Sequence, residues 1–198
     1  MPGFERNDFM NVSEALKKRR TIRKFSQQPL PKEAILDLVE YARLCAYPAN
    51  LQPLKFAVIQ DEELCDKVFP NTKWAGYLTD GSPKKDERPT AYIAVLGDKT
   101  IKDSFEVEAG AAVTSMMLGA FEKGIASCWI GALSREPIMD ILSLDNERFS
   151  LLYVLALGYP AQESKACEFS GSIKYFEDEN KKINVPKRPF DEILILEK

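Results

Sequence analysis

The chemistry-bearing residues of this 198-residue chain gather first in one block, Arg19-Arg20-Thr21-Ile22-Arg23-Lys24-Phe25. In an extended backbone side chains alternate, so Arg19, Thr21 and Arg23 share one face while Arg20 and Ile22 face the other way. Two guanidinium groups converging with a hydroxyl suit a phosphate ester, because guanidinium forks give charge-assisted, often bidentate bonds that a hydroxyl supplements. The same block also reads as a solvated charge cluster at a helix end, and composition alone does not separate the two. A second group is the amide pair Asn50 and Gln52, held between Pro48 and Pro53. Amides donate and accept together, which a heterocycle edge alternating carbonyl oxygen and ring N–H requires. The competing reading is that both amides hold the turn by bonding their own backbone.

Several chemistries are excluded by composition. The chain has no histidine, which removes Ser-His-Asp and Cys-His hydrolases and any His-ligated metal. Cys45, Cys65, Cys128 and Cys167 are widely spaced with no C-x-x-C pair, so neither a metal site nor a disulfide framework is indicated. With 27 basic against 30 acidic residues the net charge is -3, which argues against a nucleic-acid coat. The opening MPGFERNDFM carries acidic residues and no apolar core, so no signal peptide is expected, and no apolar run is long enough to span a bilayer. A cytoplasmic protein with reduced thiols, binding no nucleic acid and no membrane, is the expectation.

The elements that must position these residues follow from periodicity. Asn11 can cap a helix, with Glu14 three residues on, and that helix ends in Lys17, Lys18, Arg19 and Arg20, where positive charge complements the carbonyl end of the dipole. Arg23 lies beyond that effect. After Pro29-Leu30-Pro31, the residues Ile35, Leu38, Val39 and Ala42 predict a second helix running to about Cys45. Phe56–Ile59, Ala91–Leu96 and Leu151–Leu157 are strand-length apolar runs, the last two covered on both faces. From Ser104 to Lys123 a broad apolar stripe, with Met116 and Met117 as core filling, predicts a buried helix stopped at Gly124. Strands and unevenly placed helices together predict an α+β sandwich in one domain spanning 1–198. The segment 161–198 is polar until Ile193-Leu194-Ile195-Leu196, a strand-like run that something must cover.

With these parts in place, the chain resembles the nitroreductase family of flavin mononucleotide (FMN) enzymes. R-R-T-I-R-K-F and N-L-Q-P look like that family's R-R-S-x-R-x-F and A-P-S-x-x-N-x-Q-P-W blocks, in the same order and at similar spacing. Glu108-Ala-Gly-Ala-Ala112 and Lys123-Gly-Ile-Ala-Ser-Cys-Trp-Ile-Gly131 are similar to its central helix and G-L-x-S-x-W-I-G turn, and Leu155–Pro160 to its final strand. The resemblance implies a mixed central sheet flanked by helices, with 161–198 as an arm exchanged between the subunits of a homodimer and FMN near the interface.

The resemblance also assigns roles. Arg19, Arg20 and Thr21, with Lys187 or Arg188, would meet the FMN phosphate; Arg23 would sit at the N1/O2 edge, where positive charge stabilises the anion that reduction creates. Asn50 and Gln52 would meet the pyrimidine or ribityl groups, and Ile130 and Gly131 would lie near N5. The implied activity is hydride transfer from NAD(P)H through flavin N5 to a small electron-poor acceptor, a nitroaromatic or quinone, by a ping-pong sequence. Alternatives are an enone reductase, a dehalogenase, a dehydrogenase, or an FMN carrier or sensor without turnover. Departures fall on the substrate side: Tyr47 stands where the family has a small residue, and Tyr47 and Trp74 are candidate pocket residues, Trp74 having a competing reading as a core anchor.

Overall fold

The computed structural model describes residues 11–198. The opening MPGFERNDFM, read above as no signal peptide, lies outside the described residues. The centre is a sheet of β1 (Leu54–Ile59), β2 (Ala91–Asp98), β3 (Ala126–Ile130) and β4 (Phe149–Gly158) in the order β1-β2-β4-β3. All of its pairings are antiparallel. Parallel pairing occurs instead in a small C-terminal sheet, where β5 (Ser164–Glu168) runs parallel to β7 (Ile183–Lys187) and β6 (Phe176–Glu177) runs antiparallel to it.

Every residue of β2 is buried, as its unbroken apolar run requires. Ala91, Ile93 and Val95 face one layer and Tyr92, Ala94 and Leu96 the other. The first layer is α2 (Lys32–Leu44) and α4 (Glu106–Glu122), contributing Ile35, Leu38, Ala112, Val113 and Met116. The second is α3 (Glu62–Val68) and α5 (Arg135–Ile141), joined by Ile22 and Phe25 from the arginine block. Fully burying an Ile, Leu or Phe contributes about 1.5–3 kcal/mol, so Phe25, and Ile22 nearly as buried, anchor the block on this layer.

Local signals account for the element ends. The Asn11 side chain accepts the Glu14 N–H at 2.9 Å and starts α1 (Val12–Lys18). The second helix stops at Leu44 with Cys45 as its cap. Beyond α4, Gly124 takes φ +71°, the left-handed turn that favours glycine at a helix stop. Gly119 lets α2 and α4 approach, since a Cβ there would lie 2.3 Å from a Tyr41 ring carbon.

The C-terminal segment differs from the expected covered strand. Residues 161–187 fold on their own chain, with the Ala161 N–H on the Lys24 carbonyl at 2.9 Å and Ile183 fully buried. After Pro189, whose φ of -58° suits a helix start, α6 (Phe190–Ile193) forms a single turn with Asp191 and Glu192 at its positive end. The rest stays uncovered: Ile195 is 96% exposed. Among the described residues no helix is long and apolar enough to cross a membrane, no three Cys, Asp or Glu side chains cluster as a metal-binding group, and the four cysteines are free.

Candidate functional site

The arginine block leaves α1 at Arg19, whose φ of -57° and ψ of 127° turn the chain from helix to extended. The Ile22 N–H then bonds the Ser127 carbonyl of β3 at 3.1 Å, and Phe25 forms a bridge with Pro160. Thus the block runs beside β3 with Ile22 and Phe25 inward, and Arg19, Thr21 and Arg23 half-buried.

The two neighbouring arginines do different things. Arg20 folds back on the helix it follows, donating Nη2 to the Lys17 carbonyl at 2.6 Å and Nη1 to that of Leu16 at 3.4 Å. It caps α1 and is not presented to the cavity beside Thr21. Arg19 lines that cavity, and its Nη1 is buried without a hydrogen-bond partner among the described residues. Burial, and then the charge of Arg20, lower its pKa from the ordinary guanidinium value. A desolvated cation with an orphaned N–H is a place for an anion.

The cavity has a volume of about 360 Å³ and is lined by Arg19, Thr21, Thr114, Met117 and Trp129. Thr114 and Met117 come from α4 and Trp129 from β3, where it is the one exposed side chain of the strand. Trp129 stands edge-on to Tyr153 with ring centres 5.1 Å apart. A second cavity, of about 430 Å³, shares Arg19 and extends past Gly124, Ser127 and Gln162. Thr114, Met117 and Trp129 were missed as site residues. The signal available for Trp129 was alternation, because it occupies the face opposite Cys128 and Ile130 on a short strand.

Arg23 lines neither cavity: its guanidinium lies over the Tyr175 ring, 4.4 Å from the centre, and its backbone N–H bonds Gln162 Oε1 at 3.2 Å. Asn50 and Gln52 are exposed, and Gln52 donates to the Asn50 side chain at 3.1 Å and its carbonyl at 3.3 Å. Ala49, Asn50 and Gln52 all take left-handed backbone, so within one chain the amides hold their own turn. Gln52 and Tyr47 line a separate shallow cavity. Tyr47 donates its hydroxyl to the Ala42 carbonyl at 2.8 Å, and burial, then neighbouring Cys45, push its pKa well above the ordinary phenol value. Ile130 is buried, whereas Gly131 is exposed, with its carbonyl accepting from Arg135 at 3.4 Å.

Trp74 serves the fold, donating to Thr72 Oγ1 at 2.9 Å and stacking on Phe69 at 5.8 Å. Lys187 ends β7 and is exposed; Arg188 pairs with Glu192 at 3.0 Å and lies over Phe169. The structure therefore joins Arg19 and Thr21 in one cavity and leaves Arg20, Arg23, Asn50, Gln52, Ile130, Gly131, Lys187 and Arg188 outside it. Burial pushes the Cys128 thiol up to about 11 and the Cys65 thiol up to about 12, away from the thiolate form.

A family model described as the nitroreductase family matches residues 16–159. A protein of Archaeoglobus fulgidus, provisionally named NADH dehydrogenase/NAD(P)H nitroreductase, is 29% identical over 153 residues, covering 73% of this chain and 83% of the relative. Iodotyrosine deiodinase of Nematostella vectensis is 21% identical over 212 residues, covering 92% of this chain and 74% of the relative. Among solved structures, a provisionally named nitroreductase in complex with FMN from Desulfovibrio desulfuricans superposes with a TM-score of 0.67 at 27% identity, covering 94% of this chain and 96% of that one. The matched region contains the whole arginine block, α2, α4 and the four-stranded sheet, and on that extent the chain belongs to the nitroreductase family.

Proposed function

We propose that the chain is an FMN-dependent oxidoreductase that draws on NAD(P)H and acts on a small electron-poor acceptor such as a nitroaromatic or quinone. The observation that carries this reading is Arg19, half-buried beside Thr21 with a buried N–H that no described residue accepts. That orphaned donor fits a phosphate, whose oxygens would take the fork of Arg19 and the hydroxyl of Thr21. FMN, when bound, supplies hydride transfer in two half-reactions, one with the nicotinamide and one with the acceptor.

The chain's own residues supply binding, orientation and charge. Arg19 and Thr21 anchor the phosphate end, and Thr114, Met117 and Trp129 form a half-apolar wall beside it. Arg23 would supply positive charge at the reducible ring edge of the cofactor, the charge that favours an anionic ring. Ile130 and Gly131, which do not line that cavity, would lie near the reacting edge of the ring, the glycine permitting near approach of backbone. Asn50, Gln52, Lys187 and Arg188 share no cavity with Arg19, so a site that uses them all is completed by a second copy of the chain. A homodimer is accordingly part of the proposal, with the exposed run Phe190–Leu196 as the segment a partner covers.

The test is direct. Purified protein should take up FMN, and anaerobic NADH or NADPH should bleach its flavin absorbance, which a nitroaromatic or quinone should then restore. No uptake of FMN defeats the reading, and flavin left oxidised by both nicotinamides favours a carrier or a different electron donor. A second activity has support from the likeness to iodotyrosine deiodinase: reductive dehalogenation of an aromatic ring, checked by halide release with the same reduced protein.

A further inference from the structure

Arg23 is the cation of the row whose guanidinium lies over an aromatic ring. Its central carbon is 4.4 Å from the centre of Tyr175, and Tyr175 itself packs on Tyr77 at 5.0 Å with the rings tilted by 54°. Lys174 lies over the other tyrosine, 5.9 Å from the Tyr77 centre. Three stretches far apart in sequence meet here: the arginine block, the loop after Trp74, and the C-terminal segment. The same place is pinned by backbone, since Gln162 accepts the Arg23 N–H at 3.2 Å and the Ala161 N–H bonds the Lys24 carbonyl at 2.9 Å.

The geometry of such a contact has a chemical consequence. A cation over a ring is held by its charge against the π surface, a contact that needs no N–H donor. Among the described residues no acceptor takes a side-chain hydrogen of Arg23, and no carboxylate pairs with it. Tyr175 thus restrains a long side chain, which would otherwise lose rotamer freedom on binding, without occupying a single donor. An acidic partner in the same position would restrain it equally and neutralise it, removing the reason to have a cation there.

We infer that Tyr175 is a positioning residue: it restrains the Arg23 side chain while leaving its N–H groups free for an acceptor edge of the bound cofactor. This rests on the reading of the site as an FMN site with Arg23 at the reducible ring. Tyr77 acts behind it as a brace, fixing the ring that fixes the arginine.

The experiment is a titration of flavin-stripped, full-length protein with FMN, followed by flavin fluorescence quenching. Tyr175→Leu should raise the FMN Kd about three- to tenfold, the range a partly exposed cation–π contact supports. Tyr175→Phe keeps the ring face and should stay within about twofold of the parent. In an Arg23→Ala background, Tyr175→Leu should add nothing further, because the ring acts only through that guanidinium. Wild-type affinity in Tyr175→Leu, or tighter binding, overturns the assignment while leaving FMN binding intact. An undiminished loss in the Arg23→Ala background also overturns it, by showing that the ring acts through something else. Failure of the parent protein to bind FMN defeats the functional reading, and the role of Tyr175 falls with it. Thermal unfolding of each variant without FMN separates these outcomes from loss of fold.

Discussion

Arg19→Gln should change stability in opposite directions with and without ligand. In the free protein Arg19 carries a half-buried charge whose Nη1 has no partner among the described residues, and burial disfavours that charge. Replacing it with a neutral amide removes an uncompensated desolvation, so the free variant should be as stable as the parent or slightly more so. With FMN bound the sign reverses. A hydrogen bond to a charged group contributes about 1.5–3 kcal/mol, which corresponds to a roughly 10- to 150-fold rise in Kd when it is lost. At a free FMN concentration about 100 times the parent Kd, binding stabilises the parent by about 2.7 kcal/mol; a tenfold weaker variant gains only about 1.4 kcal/mol. For a chain of this size the difference of about 1.3 kcal/mol is a fall of roughly 3–5 °C in Tm. Differential scanning calorimetry with and without FMN gives both signs from one pair of proteins. Equal FMN-induced shifts in parent and variant would refute the phosphate role of Arg19, and a free variant several degrees less stable would show that Arg19 has an internal structural partner.

Three further outcomes are expected. Gly97→Ala places a Cβ 2.5 Å from the Phe105 ring, an overpacking that should destabilise by about 1–3 kcal/mol in chemical denaturation; an unchanged midpoint would mean that Phe105 swings aside freely. Asp98, 1% exposed, accepts from Arg148 Nη2 at 2.9 Å and from Thr100 Oγ1 at 2.6 Å, and these bonds, Arg148's first, hold its pKa well below the carboxylate range. Because the folded pKa is depressed, its stabilisation is present above the unfolded value of about 3.9 and is lost progressively as pH falls from there through the folded pKa. Parent stability should therefore decline below about pH 4, and Asp98→Asn should be less stable at pH 7 but decline less steeply; parallel pH profiles would contradict this. Ending the chain after Arg188 removes Phe190, Ile193, Ile195 and Leu196, all exposed. By size-exclusion chromatography with light scattering the full chain should be a dimer and the shortened one a monomer, and a full-length monomer would remove the two-chain site.

Legibility in the sequence followed the range of the interactions involved. The helix cap at Asn11, the stop at Gly124 and the covered strands β2 and β4 rest on short-range or periodic signals, and each lies where periodicity placed it. The alternation of Arg19, Thr21 and Arg23 against Ile22 was readable for the same reason. What was not readable depends on contacts between distant residues. Nothing local shows that Arg20 turns back onto α1 while Arg19 is left without a partner, or that Tyr175 lies on Arg23 across more than a hundred residues of chain. Met117 was read as core filling, which its burial supports, yet it also lines the cavity, a double role that periodicity does not distinguish. The amide loop was open to two readings, and left-handed backbone at Ala49 and Gln52, residue types that rarely adopt it, is not something their identities announce. The tail was read as a strand from its apolar run; a single chain offers it no described partner strand, and Pro189 with two acidic residues starts a helical turn instead.

The chain contains two tryptophans, and the fold has placed them in opposite surroundings. Trp74 donates its indole N–H to Thr72 and stacks on Phe69, whereas Trp129 is exposed at the cavity beside Arg19 and Thr21. A Trp74→Phe protein would therefore emit from one indole alone, positioned within energy-transfer distance of whatever chromophore the cavity receives. The emission of that indole would report occupancy in real time, during rapid mixing with a nicotinamide or an acceptor, without any label added to the chain.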